Sequence, residues 1–90
     1  MYKRQDNNYV NGFLSRGTAN YKLENYRESL LDFDKAIEIS PNNSQIYIGR
    51  SIVKEKTNDI KGACLDIKKA SNLSIINQNN KSWYKNNCPK

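Results

Sequence analysis

Four stretches of the chain place apolar residues at the spacing of an amphipathic helix. This periodicity predicts helices near residues 9–23, 26–39, 44–56 and 60–72. The stripe of the second helix consists of Tyr26, Leu30, Phe33, Ala36 and Ile37. The sequence therefore predicts an all-α fold.

Residues that break or cap helices separate these stretches. Asn25 offers an N-cap, and Glu28 resembles the second half of a capping box. Pro41 cannot continue the second helix and predicts a turn, after which Asn43 or Ser44 caps the third helix. Residues 57–59 predict a turn and a cap before the fourth.

The chain matches itself, without gaps, at one fixed shift, which we call the repeat offset and which carries Arg16 onto Arg50. The identical pairs are Arg16 and Arg50, Lys22 and Lys56, Leu31 and Leu65, Asp32 and Asp66, Lys35 and Lys69, and Ala36 and Ala70. Apolar residues replace one another at several other places, such as Phe13 with Tyr47 and Phe33 with Ile67. These matches indicate two tandem copies of a helix–turn–helix unit.

Small and bulky side chains recur at fixed places in both copies. We expect the small ones to let neighbouring helices approach closely: Gly17, Ser29 and Ala36 in the first copy, and Ser51, Ala63 and Ala70 in the second. The bulky residues Phe13, Phe33, Tyr47 and Ile67 are expected to fill the spaces between the helices.

The tail carries two apolar pairs, Ile75-Ile76 and Trp83-Tyr84, about two helical turns apart. We interpret residues 75–87 as a fifth helix that covers the exposed face of the fourth, because a terminal repeat needs such a cap for solubility. The alternative is a disordered tail.

The combination of these residues resembles the tetratricopeptide repeat (TPR) family. The family's aromatic residue in the first helix is similar to Phe13 and Tyr47, and its series of small, aromatic and alanine residues is similar to Ser29, Phe33 and Ala36. The closing proline is Pro41 in the first copy, whereas Ile75 stands there in the second, which suits an array that ends. The stretch 62–70 also resembles the terminal repeats of many bacterial members.

The resemblance implies one domain over residues 1–90. It consists of an N-terminal arm at 1–8, repeats at 10–43 and 44–77, and the cap at 75–87. The implied fold is a short right-handed superhelix of two helical hairpins, whose first helices line a concave groove. Most such modules bind peptides or partner proteins, so we expect protein binding without a cofactor.

On that resemblance, the groove-facing residues form the candidate partner-binding site: Asn11, Leu14, Ser15, Thr18, Tyr21, Lys22, Gln45, Ile48, Gly49, Ile52, Glu55 and Lys56. Exposed apolar residues on a capped helix can mark an interface. The alternative is that they contact the neighbouring second helices or the N-terminal arm. Some family members grip a C-terminal carboxylate of a chaperone tail, but Leu14, Thr18 and Gly49 stand at the places of that clamp, so we do not expect this activity.

Arg16 and Arg50 occupy a place that is usually apolar. An aspartate follows each of them at the same interval along the chain, Asp32 in the first copy and Asp66 in the second. We expect Arg16–Asp32 and Arg50–Asp66 ion pairs that tie each helix pair together. The alternative is that these arginines hold an anion.

Composition changes this picture little. The chain has no His, which removes the commonest general base and metal ligand, and it has no phosphate loop or nucleophile motif, so we do not expect an enzyme. The default expectation for Cys64 is a buried free thiol, with a Cys64–Cys88 disulfide as the alternative.

The net charge of +6 leaves a second function open. Nucleic acid or another anionic surface could bind the cationic residues Lys54, Lys56, Lys61, Lys68, Lys69, Lys81 and Lys85. The charges are spread along the chain and the aromatics sit at core spacing, so partner-protein binding is the favoured hypothesis.

Two copies are few for a stacked array, so we also predict a homodimer. No apolar run is long enough to span a membrane and no signal peptide is visible, so we expect a cytoplasmic protein, with a removed export signal as the alternative.

Overall fold

A computed structural model describes the backbone of residues 5–89 and the side chains of residues 9–89. These residues form five α-helices and no strand: α1 (Gln5–Lys22), α2 (Tyr26–Ile39), α3 (Ser44–Lys56), α4 (Ile60–Leu73) and α5 (Gln78–Asn87). Helices adjacent in sequence pack against each other, and α1 also contacts α3. The all-α prediction is therefore confirmed, with an arrangement compatible with a helical repeat.

The helix boundaries follow the predictions closely in the middle of the chain and differ at its ends. Helix α1 begins at Gln5, so residues 5–8 of the expected arm are helical, while residues 1–4 lie outside the described part. Helix α5 begins at Gln78 instead of residue 75, because the Asn77 side chain accepts a hydrogen bond from the Asn80 backbone N–H and caps it there. The apolar pattern reports only the turns that bury side chains, whereas capping and backbone hydrogen bonds set the ends of a helix.

The loops inside the two hairpins repeat the same backbone geometry. Glu24 and Asn58, which stand at matching places, both have a left-handed φ, of 64° and 69°. The Asp59 side chain caps α4 by accepting a hydrogen bond from the Gly62 N–H. Asn25 is the N-cap residue of α2, as predicted, but its side chain makes no such bond, so the predicted capping box is wrong. Instead, the Asn25 backbone N–H donates a hydrogen bond to the Asn20 carbonyl, and the Asn25 carbonyl accepts one from the Ser29 N–H.

The predicted small residues lie where helices meet. Ser29, Ala36, Ala63 and Ala70 have no solvent-exposed surface, and the Ser29 hydroxyl donates a hydrogen bond of 2.7 Å to the Gly17 carbonyl. Two apolar clusters surround these contacts: one consists of Val10, Phe33, Ala36, Ile46 and Val53, and the other of Tyr47, Ile67, Ala70 and Ile76. The partly buried Ile37 packs against both clusters and makes the core continuous across the copies.

Helix α5 lies against α4, which confirms the predicted contact. No residue of α5 is fully buried, but Trp83 and Tyr84 are partly buried against the second cluster. A Cys64–Cys88 disulfide joins the end of α5 to α4, so the expectation of a free Cys64 thiol is wrong. Sequence spacing could not decide this, because only the return of α5 along α4 brings the two cysteines together.

We predict that Ala36→Leu lowers the free energy of unfolding by about 2 kcal/mol, because the added side chain overpacks a fully buried site between helices. Urea denaturation followed by circular dichroism measures the change. Ala19→Leu is the matched control, since Ala19 is an exposed helical residue of α1. Equal stability of the two variants would contradict the close approach of helices at Ala36.

We predict that Cys88→Ser lowers the free energy of unfolding by about 3 kcal/mol, because the disulfide closes a chain segment with a sequence separation of 24. Thermal denaturation with and without reductant tests this. Reductant should lower the melting temperature of the wild type to that of the variant and leave the variant unchanged. A wild type that does not respond to reductant would refute the stabilising bond.

Candidate partner-binding surface

Helices α1 and α3 come together around a small hollow, which we call the inter-copy hollow. It has a volume of about 170 Å³ and is lined by Thr18, Tyr21, Lys22, Phe33, Gly49, Ile52 and Val53. Its walls are almost entirely apolar, and residues from both copies contribute to it. The hollow therefore exists only because the two hairpins are stacked.

Gly49 allows the close packing below this hollow. A Cβ atom at Gly49 would lie 2.7 Å from Cε1 of the Phe33 ring, which is closer than such atoms approach in folded proteins. The ring of Phe33 therefore lies directly against the α3 backbone and forms the floor of the hollow. Any side chain at Gly49 would displace that ring.

The structure brings together only part of the predicted site. Thr18, Tyr21, Lys22, Gly49 and Ile52 meet at the inter-copy hollow. Other predicted residues lie on α1 and α3 outside it: the exposed Asn11, Ser15, Gln45 and Lys56, and the partly buried Leu14 and Ile48.

The apolar residues of the predicted site divide into two groups. Leu14 and Tyr21 pack against the first apolar cluster, and Ile48 packs against the second, so core packing accounts for much of their surface. Ile52 differs, because 40% of its surface is exposed and it forms an edge of the inter-copy hollow. Ile52 is therefore the apolar side chain of the predicted site with the largest exposed fraction.

Glu55 has an intramolecular partner that the helical periodicity did not predict. The Trp83 indole N–H donates a hydrogen bond of 3.0 Å to the Glu55 carboxylate, which joins α5 to α3. A second hollow beside this bond, with a volume of about 220 Å³, is lined by Ser51, Ile52, Glu55, Ile67, Asn79, Asn80 and Trp83. Helix α5 thus bounds the face of α3. The sequence contained a signal for this contact. The repeat offset carries Tyr21 onto Glu55 and Gly49 onto Trp83, and Tyr21 and Gly49 line the same hollow.

The Arg50 guanidinium connects three helices. Its Nε and Nη2 atoms donate hydrogen bonds of 2.9 and 2.8 Å to the two Asp66 carboxylate oxygens, and Nη1 donates one of 2.8 Å to Asp34 of α2. Lys54 lies 3.2 Å from the buried Asp66 carboxylate as well. The pKa of Arg50 is raised chiefly by its hydrogen bond to Asp66, although burial acts in the opposite direction.

Arg16 makes the matching pair in the first copy. Its Nε and Nη2 atoms donate hydrogen bonds of 3.0 and 2.8 Å to one oxygen of Asp32, and the Asn20 amide donates to the other. This pairing raises the pKa of Arg16. Both predicted Arg–Asp pairs are present, and each guanidinium also lies over the aromatic ring of its own copy, Phe13 or Tyr47. Because carboxylates occupy both arginines, the structure favours a packing role over the anion-holding alternative.

No protein-family model matches the chain, and no curated protein matches it. Within the described residues, no group of three or more His, Cys, Asp or Glu side chains is placed to hold a metal ion. None of the helices that the structure describes combines the length and the apolar character needed to cross a membrane.

We predict that Arg50→Ala lowers the free energy of unfolding by about 3 kcal/mol, because it leaves the buried Asp66 carboxylate with Lys54 as its one ionic partner among the described residues. Arg16→Ala is the matched comparison and should have a smaller effect, because the Arg16 side chain is 66% exposed, so water can take its place at Asp32, and because the Asn20 amide still donates a hydrogen bond to that carboxylate. Urea denaturation measures both changes. The raised pKa of Arg50 keeps it charged to strongly alkaline pH, so its contribution is retained at and above neutral pH. A larger loss from Arg16→Ala would contradict this ranking.

Proposed function

We propose that this protein acts by binding a partner protein or peptide at the inter-copy hollow, and that it catalyses no reaction. The observation that carries the proposal is the apolar hollow between α1 and α3, with Ile52 exposed at its edge. A partially exposed apolar residue beside a small apolar concavity is a common arrangement at the centre of protein interfaces.

The size of the hollow indicates what kind of group it accepts. Sites for cofactors and drug-sized ligands enclose roughly 300–1,000 Å³, whereas this hollow has about 170 Å³. A single apolar side chain of a partner is therefore a better match than a whole small molecule. The exposed polar residues around it, such as Thr18 and Lys22, would form the rim of the interface.

We further propose that the chain is a short member of the TPR family with the family's right-handed superhelical stacking. The repeat offset, the two matching hairpin loops and the buried small residues support this assignment. The residues expected of the carboxylate clamp are missing, since Leu14, Thr18 and Gly49 stand in their places. The proposed ligand is therefore an internal segment with an apolar anchor and not a free C-terminus.

Self-association stays a prediction. Helix α5 covers part of the second copy, which reduces the apolar surface left for end-to-end stacking. Light scattering at high protein concentration distinguishes a dimer from a monomer, and a monomer would argue against the homodimer.

The cellular compartment also stays a prediction. Disulfides persist mainly in oxidising compartments, so the Cys64–Cys88 bond favours the export alternative over the predicted cytoplasmic location. Alkylation of free thiols in intact cells would test this, because a cytoplasmic protein would carry both cysteines in reduced form.

We predict that peptides selected from a displayed library on the wild-type protein lose about tenfold in affinity for Ile52→Asp, because the substitution places a charge beside the apolar hollow. Fluorescence polarisation with the selected peptides measures the affinity. Thr18→Arg, which places a large side chain at the rim of the same hollow, should lower the affinity for these peptides as well.

The matched control for this experiment is Leu31→Asp. Leu31 is an exposed leucine of α2 that does not line the hollow, and its variant should bind the peptides as the wild type does. Circular dichroism checks that each variant is folded. Selected peptides that bind Ile52→Asp and Thr18→Arg with unchanged affinity would refute the proposed site.

A further inference from the structure

A second concave surface runs along the junction of α4 and α5. Two adjoining hollows, with volumes of about 370 and 480 Å³, share Lys68 and Tyr84 as lining residues. We call this surface the lysine groove and define it by Ile60, Lys61, Leu65, Lys68, Lys81 and Tyr84. None of these residues lines the inter-copy hollow, so the groove is a separate surface.

The groove has one sign of charge. Lys61, Lys68 and Lys81 line it, and no acidic residue of the described chain lines either hollow. The stretch 60–89 contains one acidic side chain, Asp66, which is buried and bound by Arg50 and Lys54. The lysines therefore create a positive potential that no other side-chain carboxylate of this stretch reduces.

The repeat explains how this charge arises. Asp34, on α2 of the first copy, pairs with Arg50, on α3 of the second copy. At the matching places, one repeat offset further on, the second copy carries Lys68 and α5 carries Tyr84. The ion pair that joins the first copy to the second is thus replaced by a lysine and an aromatic ring, both of which line the groove.

The apolar part of the groove lies between the lysines. Leu65 is 64% exposed, and Ile60, Tyr84 and Pro89 line the same hollow. On α4, Lys61, Leu65 and Lys68 are spaced by four and three positions, so they share one face of the helix. An occupant must therefore present an apolar side chain flanked by negative charges.

We propose that the lysine groove binds an acidic segment of a partner protein that inserts an apolar side chain against Leu65 and Tyr84. A protein segment fits better than nucleic acid, because aliphatic residues make most of the apolar lining and bases bind chiefly by stacking on aromatic rings. It also fits better than an anionic bilayer, because the apolar residues line a concavity while a bilayer engages residues that protrude from a surface.

The test uses the full chain with its disulfide intact and a fluorescein-labelled synthetic peptide that carries Glu and Leu at helical spacing. We expect the wild type to bind this peptide with an affinity that falls as salt rises. The triple variant Lys61→Gln, Lys68→Gln and Lys81→Gln should bind about tenfold more weakly, since three exposed ionic contacts are lost. Fluorescence polarisation measures both affinities.

The charge-matched control is the triple variant Arg27→Gln, Lys35→Gln and Lys69→Gln, which removes the same net charge at exposed residues outside both surfaces and should bind as the wild type does. Leu65→Ser should weaken binding, whereas Leu31→Ser, at the matching place of the first copy, should not. Equal weakening by both triple variants would show a non-specific charge effect and overturn the proposal. If the wild type bound a peptide with Ser in place of Leu with the same affinity, the apolar contact would not contribute, and this would overturn the proposal as well.

Two further probes compare the other anionic partners. A labelled single-stranded oligonucleotide and vesicles of phosphatidylserine are titrated with the same variants. Tighter binding of either probe than of the peptide, with loss in the groove variant, would overturn the proposal in favour of that partner. Ile52→Asp should leave peptide binding at the lysine groove unchanged, so a failure here is distinguishable from a failure at the inter-copy hollow.

Discussion

The packing of Phe33 between two glycines sets how closely the two copies of this protein approach each other. A Cβ atom at Gly17 would lie 3.1 Å from the Phe33 ring, and one at Gly49 would lie 2.7 Å from it. The ring therefore lies against the backbone of α1 in its own copy and against the backbone of α3 in the next. Because the closeness of both helices depends on missing side chains, neither glycine tolerates replacement without movement of the ring. The same ring forms the floor of the inter-copy hollow, so the proposed binding site depends on this contact.

After α4 the chain keeps the repeat offset and changes the chemistry of the matching places. Helix α5 begins one repeat offset after the start of α3, and Asn77 caps it as Asn43 caps α3. In place of the Phe33–Gly49 contact, this end has Ile67 and the much larger Trp83. We infer that α5 occupies the place that α1 and α3 occupy in the two copies, and that it is a shorter helix of the same kind. The Cys64–Cys88 disulfide and the Trp83–Glu55 hydrogen bond attach this helix, which has no fully buried residue of its own.

The charged residues also differ between the contact of the two copies and the contact of α4 with α5. Arg50 binds Asp66 in its own hairpin and Asp34 in the preceding one, so one guanidinium satisfies carboxylates from both copies. One repeat offset further on, Tyr84 stands where Arg50 stood, and Lys68 stands where Asp34 stood. The two proposed surfaces arise from this difference. The contact between the two copies leaves a small apolar hollow, while the contact of α4 with α5 leaves a larger groove lined by lysines.

The sequence by itself determined the features that depend on spacing along the chain. The bounds of α2 and α3, the burial of Ala36 and Ala70, and both Arg–Asp pairs could be predicted, because helical periodicity and a fixed offset place these residues relative to one another. Only the tertiary structure decided the disulfide, the division of the predicted site residues between hollow and core, and the contact of Trp83 with Glu55. Each of these depends on where α5 or α3 packs in space, and local patterns do not encode the path of a helix after a turn. The start of α1 at Gln5 and the missing side-chain bond of Asn25 also escaped prediction, because an apolar pattern does not report where the helical hydrogen bonds begin.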